Sequence, residues 1–215
     1  MLRAAAARGL THVAITDHDR IDGAHEALEV VGTEAPGLAV IVGQEIRTSA
    51  GDLIGVFLEE SIPVGLSPAE AIAAVHEQGG LVGIAHPFDR FRGSVGRGEV
   101  AALDEVAAAV DWIETWNARL LVGDGNALAA DLAKRHGVAG VAVSDAHTTL
   151  EVGIASTIVS AGDPSTADGL RAALAGPIEL VTGRASRLVR LVGPAAKLVQ
   201  RARGRGRVGT RGGIR

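Results

Sequence analysis

Short apolar runs alternate with helical segments along most of the chain, and this alternation limits the fold more than any other feature of the sequence. The runs HVAIT at 12–16, LAVIV at 38–42, LVGIA at 81–85, WIETW at 112–116 and VAGVAV at 138–143 read as strands. Between them, 22–31, 67–78, 100–110 and 126–136 read as helices. Residues 1–9 read as the end of a helix stopped by Gly9. Further strands are expected at 153–160 and 178–181, with a helix at 165–175 between them. Repeated strand–helix units call for a mainly parallel sheet or barrel.

Two local signals sharpen this reading. Ser67-Pro68-Ala69-Glu70 combines a capping hydroxyl, a proline fitted to the first helical turn and a glutamate three residues on, the pattern of a capping box. Residues 45–48 and 53–58 read as the arms of a hairpin turning at Ser49-Ala50-Gly51.

The chain has no cysteine, which excludes disulfides and thiolate metal sites. Any metal is left to His, Asp and Glu. No apolar run approaches the roughly 18–20 residues of a membrane span, and the N-terminus is too short and polar for a signal peptide. A cytoplasmic protein is expected. The overall charge of −4 hides an acidic body and a basic tail. Residues 1–183 hold 11 Lys and Arg against 25 Asp and Glu, whereas 184–215 hold 10 Lys and Arg and no acid. We therefore expect one domain over 1–183 and a basic tail over 184–215, part amphipathic helix and part disordered, with weak affinity for polyanions.

The ligand-type residues gather at strand ends. Asp17 and His18 follow the first run, and Glu45 follows the second after Gly43-Gln44. His86 follows the third, Glu114 and Asn117 lie at the end of the fourth, and Asp145 and His147 follow the fifth. Parallel strands of a barrel end on one face, so these side chains should converge there. Imidazoles beside carboxylates suit Zn²⁺, Mn²⁺ or Fe²⁺. Any one Asp-His or His-Pro pair is more often a turn; the ordered set is not explained that way. His12, His25, His76 and His136 lie within strands or on helices and are expected to be structural or exposed, not ligands. Arg90, Arg92 and Arg119 sit beside the motifs, each either a phosphate grip or a solvated surface residue.

In order and rough spacing, ITDHD at 15–19, GQEI at 43–46, GIAHP at 83–87, IETWN at 113–117 and SDAH at 144–147 resemble the motifs of the polymerase and histidinol phosphatase (PHP) domain family. The resemblance covers about residues 1–183. It implies a distorted (β/α)7 TIM-like barrel with up to three divalent metal ions on one face. It also implies hydrolysis of phosphate esters by a metal-activated hydroxide, the substrate being a small phosphoester, a nucleotide or a short oligonucleotide. By position, His18, Glu45, His86, Asp145 and His147 match family metal ligands. Asp17 is expected to orient the site and Arg119 to hold phosphate.

The chain departs from the family in two ways. A first strand with a His-x-His motif has no counterpart, so a barrel lacking that strand, and a weak phosphatase, is expected. Asp52, in GDLIGVF, stands where the family often has a histidine, and is either a ligand or a turn residue. The alternative to an enzyme is a degenerate domain acting as a binding module.

Overall fold

The computed structural model describes residues 1–90, 92–97 and 100–186. The expected tail helix over 188–202 and the Gly/Arg-rich end lie outside them.

Six strands form one sheet in sequence order: β1 (His12–His18), β2 (Ala39–Arg47), β3 (Asp52–Val56), β4 (Leu81–Ile84), β5 (Trp112–Asn117) and β6 (Ala139–Val143). All run parallel except β3, which pairs antiparallel with both β2 and β4. Helices α2 (Asp22–Glu34), α3 (Pro68–Glu77), α4 (Val100–Ala109) and α5 (Gly125–His136) connect the strands, and α1 (Leu2–Ala7) precedes them. The result is a mixed α/β fold around a curled, half-barrel sheet.

Alternation along the strands divides the core into layers. Ile46, Leu53, Val82, Ile84 and Ile113 face outward, against Ile72 and Val75 of α3, Leu103 and Val106 of α4, and Leu132 of α5. Near β1, Leu2 and Ala5 of α1 pack with Ala27 of α2 and Leu38. On the concave side Ile41, Val56, Leu81, Trp112 and Val141, from five strands, join one apolar cluster. Helix α6 (Ala167–Leu174) covers it with Ala167, Leu170 and Leu174.

The local signals act as expected. Ser67 Oγ accepts the Glu70 N–H at 3.3 Å, and Glu70 Oε2 accepts the Ser67 N–H at 2.8 Å, completing the box that starts α3. Helix α5 ends at Gly137 with φ of 63°, a left-handed cap that glycine adopts without a Cβ clash.

The expected series of βα units stops at β6. Strands β7 (Ser156–Val159) and β8 (Ile178–Val181) form a separate antiparallel pair on either side of α6. Thr157 explains the break. Its hydroxyl accepts the Ala142 N–H at 2.9 Å and donates to the Ala142 carbonyl at 3.0 Å, so a side chain satisfies the β6 backbone in place of a strand. After β8 the chain stays on the body. The Trp116 indole donates to the Gly183 carbonyl at 2.8 Å, and the Ala185 N–H donates to the Ala118 carbonyl at 2.9 Å. The Arg184 guanidinium lies 5.3 Å from the centre of the Trp116 ring.

Gly83, inside the GIAHP motif, lets Trp112 lie flat on β4. A Cβ there would stand 2.2 Å from Trp112 Cε2. Gly83→Ala should therefore lower unfolding free energy by roughly 1–3 kcal/mol, the usual range for overpacking. Denaturant unfolding followed by far-ultraviolet circular dichroism checks this; an unchanged midpoint would mean that Trp112 moves aside freely.

Candidate metal centre

The centre lies at the end of the sheet where the parallel strands finish. Glu45 reaches it from the last turn of the β2 pleat. The neighbouring Gln44 is fully buried and points the other way, where its amide bonds both backbone groups of Ile62 at 2.8 Å. That double bond fixes the pleat, and with it the direction of Glu45. Arg47 pairs in register with Asp52, the first residue of β3. Because β3 runs backwards, its beginning lies at the end where β2 and β4 finish. This is how Asp52, open at the sequence level as ligand or turn residue, comes to face Glu45.

His86 follows β4 after Ala85, with φ of 28°. Its backbone N–H donates to Glu114 Oε2 at 2.8 Å, and its Nε2 lies 3.4 Å from Glu45 Oε1. Burial holds the imidazole pKa below the ordinary histidine value. The Arg92 charge acts in the same direction, against the opposing pull of Glu114, Asp52 and Asp89. Neutral imidazole is the form that ligates metal.

Glu45, Asp52 and His86 are all buried, and each offers a ligand atom within 4.8 Å of the others. Donors around a divalent ion at about 2.1 Å lie about 3–4 Å apart, so a small closure seats one. Two carboxylates crowded out of water beside a neutral imidazole are a donor set that fits a borderline divalent cation.

The remaining expected ligands surround this trio. His18 Nδ1 lies 3.1 Å from Glu45 Oε2, so the two oxygens of Glu45 face two different imidazoles. The His147 ring stands 6.2 Å from that of His18, and its Nδ1 is 3.5 Å from Asp145 Oδ1. Asp145 Oδ2 accepts Asn117 Nδ2 at 3.1 Å and is also held by the Arg92 guanidinium. Asn117 Nδ2 in turn reaches Glu114 Oε2 at 2.9 Å.

Asp17 is exposed on the face of β1 opposite His18, and its Oδ2 sits 2.1 Å from where a Cβ of Gly23 would be, at the start of α2. The buried carboxylate is Asp19, two residues on. It accepts the Arg47 N–H at 3.3 Å and pairs with the Arg47 guanidinium at 3.0 Å, tying the end of β1 to that of β2. Arg119 Nε lies 3.5 Å from Glu151 Oε1. Glu151 is buried and accepts the His147 N–H at 3.0 Å and the Thr148 hydroxyl at 3.1 Å. Arg119 thus helps to fix the loop that carries His147.

Glu151 had no sequence signal, since it follows a strand-end motif by several loop residues. Of the two arginines after His86, Arg92 enters the centre. Arg90 is exposed and lines a neighbouring cavity of about 370 Å³ with Phe88, Asp89, Val122 and Leu128. Phe91 lies outside the described residues. His12, His76 and His136 face Ser165 at 3.0 Å, Asp111 at 3.1 Å and Asp104 at 2.8 Å, all away from the centre.

Comparisons with known proteins bear on the fold around this centre. A family model described as PHP-associated matches residues 123–176. The uncharacterized protein MJ1587 of Methanocaldococcus jannaschii is 39% identical over 118 residues, which is 55% of this chain and 64% of that protein. A second uncharacterized protein of that organism, MJ0417, is 39% identical over 114 residues, 53% of this chain and 48% of its own length. The chain thus spans about half to two-thirds of the curated relatives it matches. A two-domain protein of Bacteroides vulgatus, containing a predicted PHP-like metal-dependent phosphoesterase, superposes with a TM-score of 0.65 at 18% identity, covering 85% of this chain and 61% of its own. The lesion-specific endonuclease Q of Pyrococcus furiosus gives 0.59 at 18% identity, over 82% of this chain and 51% of its own. Endonuclease Q is also known in complex with a 27-mer duplex substrate carrying an abasic lesion at the active site. Together these findings support a PHP-domain family. The strand-end cluster described here is a candidate metal centre.

Glu114 holds the His86 backbone N–H and the Asn117 amide. Glu114→Ala leaves both donors without this acceptor, which should lower stability by roughly 1–3 kcal/mol. It should also weaken Mn²⁺ affinity about 10–100-fold, the usual effect of losing an outer support. Glu114→Gln, which keeps an acceptor oxygen, should restore most of both. Calorimetric Mn²⁺ titration with thermal unfolding checks the pair, and equal affinities in all three proteins would remove Glu114 from this role.

Proposed function

We propose that this chain is a metal-dependent phosphoesterase whose working centre is built on Glu45, Asp52 and His86. The observation that carries the reading is the convergence of these three buried ligand groups at one end of a PHP-like sheet. In this reading residues 1–183 form the phosphoesterase domain, part of a distorted (β/α)7 barrel in a cytoplasmic protein. The ten positive charges of 184–215 serve as a contact for polyanions.

A divalent ion, Zn²⁺, Mn²⁺ or Fe²⁺, would be held by Glu45, Asp52 and His86, and would supply Lewis acidity and an acidified water. The protein's own groups do the rest. Glu45 presents its second oxygen to His18, so the same carboxylate can serve two neighbouring cations. The side chains of His18 and His147 are 30% and 26% exposed, at the rim where a substrate phosphate enters. They offer imidazoles for a second ion or for the proton of the leaving oxygen. The adjoining cavity, with Phe88, Val122 and Leu128 on its walls, gives room for the organic part of the ester. A nucleotide or short oligonucleotide is the proposed substrate class, a choice supported by the DNA substrate of the structurally similar endonuclease Q.

The test is metal content and hydrolysis together. Purified wild type should retain Mn²⁺ or Zn²⁺ on dialysis, and Asp52→Ala and His86→Ala should each lose it. Hydrolysis of a chromogenic phosphodiester with added Mn²⁺ should fall at least about 100-fold in both variants, equivalent to about 2.7 kcal/mol of transition-state stabilisation. Negligible metal in all three proteins would refute the reading.

A further inference from the structure

We propose that Arg47 binds the substrate phosphate beside the ion, its guanidinium aimed by the buried carboxylate of Asp19. The inference rests on the metal-centre reading above and deepens it by naming a group of this chain that holds the phosphate.

Arg47 is the last residue of β2, two places after Glu45, so both side chains leave the strand on one face. It also pairs directly with Asp52 across the β2–β3 ladder, and opposed residues of an antiparallel pair share a face. The arginine therefore stands on the concave face, beside two members of the trio able to hold an ion. On its other side lies the end of β1, where His18 meets Glu45.

The root of the side chain is fixed. The Arg47 N–H donates to Asp19 Oδ1 at 3.3 Å, and its carbonyl accepts the Gly65 N–H at 2.8 Å. Asp19 is itself tied to β2, its N–H donating to the Glu45 carbonyl at 3.0 Å.

Asp19 sets the direction of the guanidinium. Its side chain is 1% exposed. Among the described residues, its Oδ2 is the one buried side-chain polar atom without a hydrogen-bond partner, and it faces Arg47 Nη2 at 3.0 Å. A buried carboxylate oxygen in that state is costly unless a cation stands against it. Its place is explained if its task is to hold the arginine where the substrate needs it. The Arg47 side chain is 31% exposed, so the charge that Asp19 aims also reaches solvent on the ligand-bearing face. Arg92 is more enclosed and is engaged by Asp89, Asp145 and Asn117, and Arg119 faces the buried Glu151.

The chemistry calls for such a group. A phosphate drawn to the ion approaches the carboxylates of Glu45 and Asp52, which repel it. A guanidinium on the same face offsets that repulsion, and its planar fork matches two phosphate oxygens. Because its root is already held, it loses little freedom on binding.

The test measures two affinities on the full chain by calorimetry, with thermal unfolding as a fold check. Mn²⁺ is titrated first, then inorganic phosphate into the Mn²⁺-loaded protein. Arg47→Gln should weaken phosphate about 10–100-fold, the loss expected for hydrogen bonds to a charged group, and leave Mn²⁺ affinity near that of wild type. Arg47→Lys, which keeps the charge, should recover part of the loss. If Arg47→Gln does not fold, Asp19→Asn combined with Arg47→Gln removes the buried charge together with its partner and takes its place, with the same expectations. Unchanged phosphate affinity would overturn the inference. So would Mn²⁺ affinity falling in step with phosphate affinity, since Arg47 would then only hold the centre together. Loaded wild type that takes up no phosphate overturns the inference alone; wild type that binds no Mn²⁺ overturns it together with the reading it rests on.

Discussion

One reversed strand organises the centre. In a purely parallel sheet, only residues at the ends of strands reach the common face, and each strand supplies one or two of them. Turning β3 back on β2 brings the beginning of a strand to that face as well, so Asp52 meets Glu45 and His86. The turn also creates the edge on which the 92–96 segment rests, through the bond from Asp52 to Gly93. Without that reversal the ion trio would lack a carboxylate, and Arg92 would lack the anchor beside it.

Backbone strain is concentrated at the same place. Four non-glycine residues among those described have positive φ, and three of them, Asp19, His86 and Asp145, lie at strand ends around the centre. Each such conformation costs on the order of 1–3 kcal/mol and persists only where surrounding bonds over-determine it. Those bonds are visible: the Asp19 N–H to the Glu45 carbonyl, the His86 N–H to Glu114, and Asp145 between Asn117 and Arg92. The strain turns side chains inward that a relaxed strand end would direct elsewhere.

Much of this was legible in the sequence, for identifiable reasons. Hydrophobic alternation and the Ser67 cap are local signals, and the helices and strands they mark are present with small shifts at their ends. Glu45, His86, Asp52 and His18 converge because strand-end position is also nearly local, once a barrel-like sheet is assumed. What could not be read depends on contacts between distant segments. Asp17 and Asp19 flank the same histidine, and only the turn geometry decides which of them is buried. Arg119 sits next to a motif, yet its Nε reaches Glu151, over thirty positions later in the chain. Where β7 and β8 stand apart from the main sheet, the Thr157 hydroxyl meets the β6 backbone, and no strand pattern reveals a side chain standing in for a backbone.

That hydroxyl has a consequence for how the molecule moves. The bond between Thr157 and Ala142 is a two-point attachment where a ladder would spread the load over a whole strand. The β7–α6–β8 unit is therefore joined to the sheet chiefly by the apolar contacts of α6 and by a few polar ties. Such a unit forms its own cooperative block, opening at lower free energy than the strands it covers. When it lifts, Leu170 and Leu174 leave the concave cluster and water reaches Trp112 from below. The side of the half-barrel away from the centre is thus expected to open before the strand ends that carry the ligand groups.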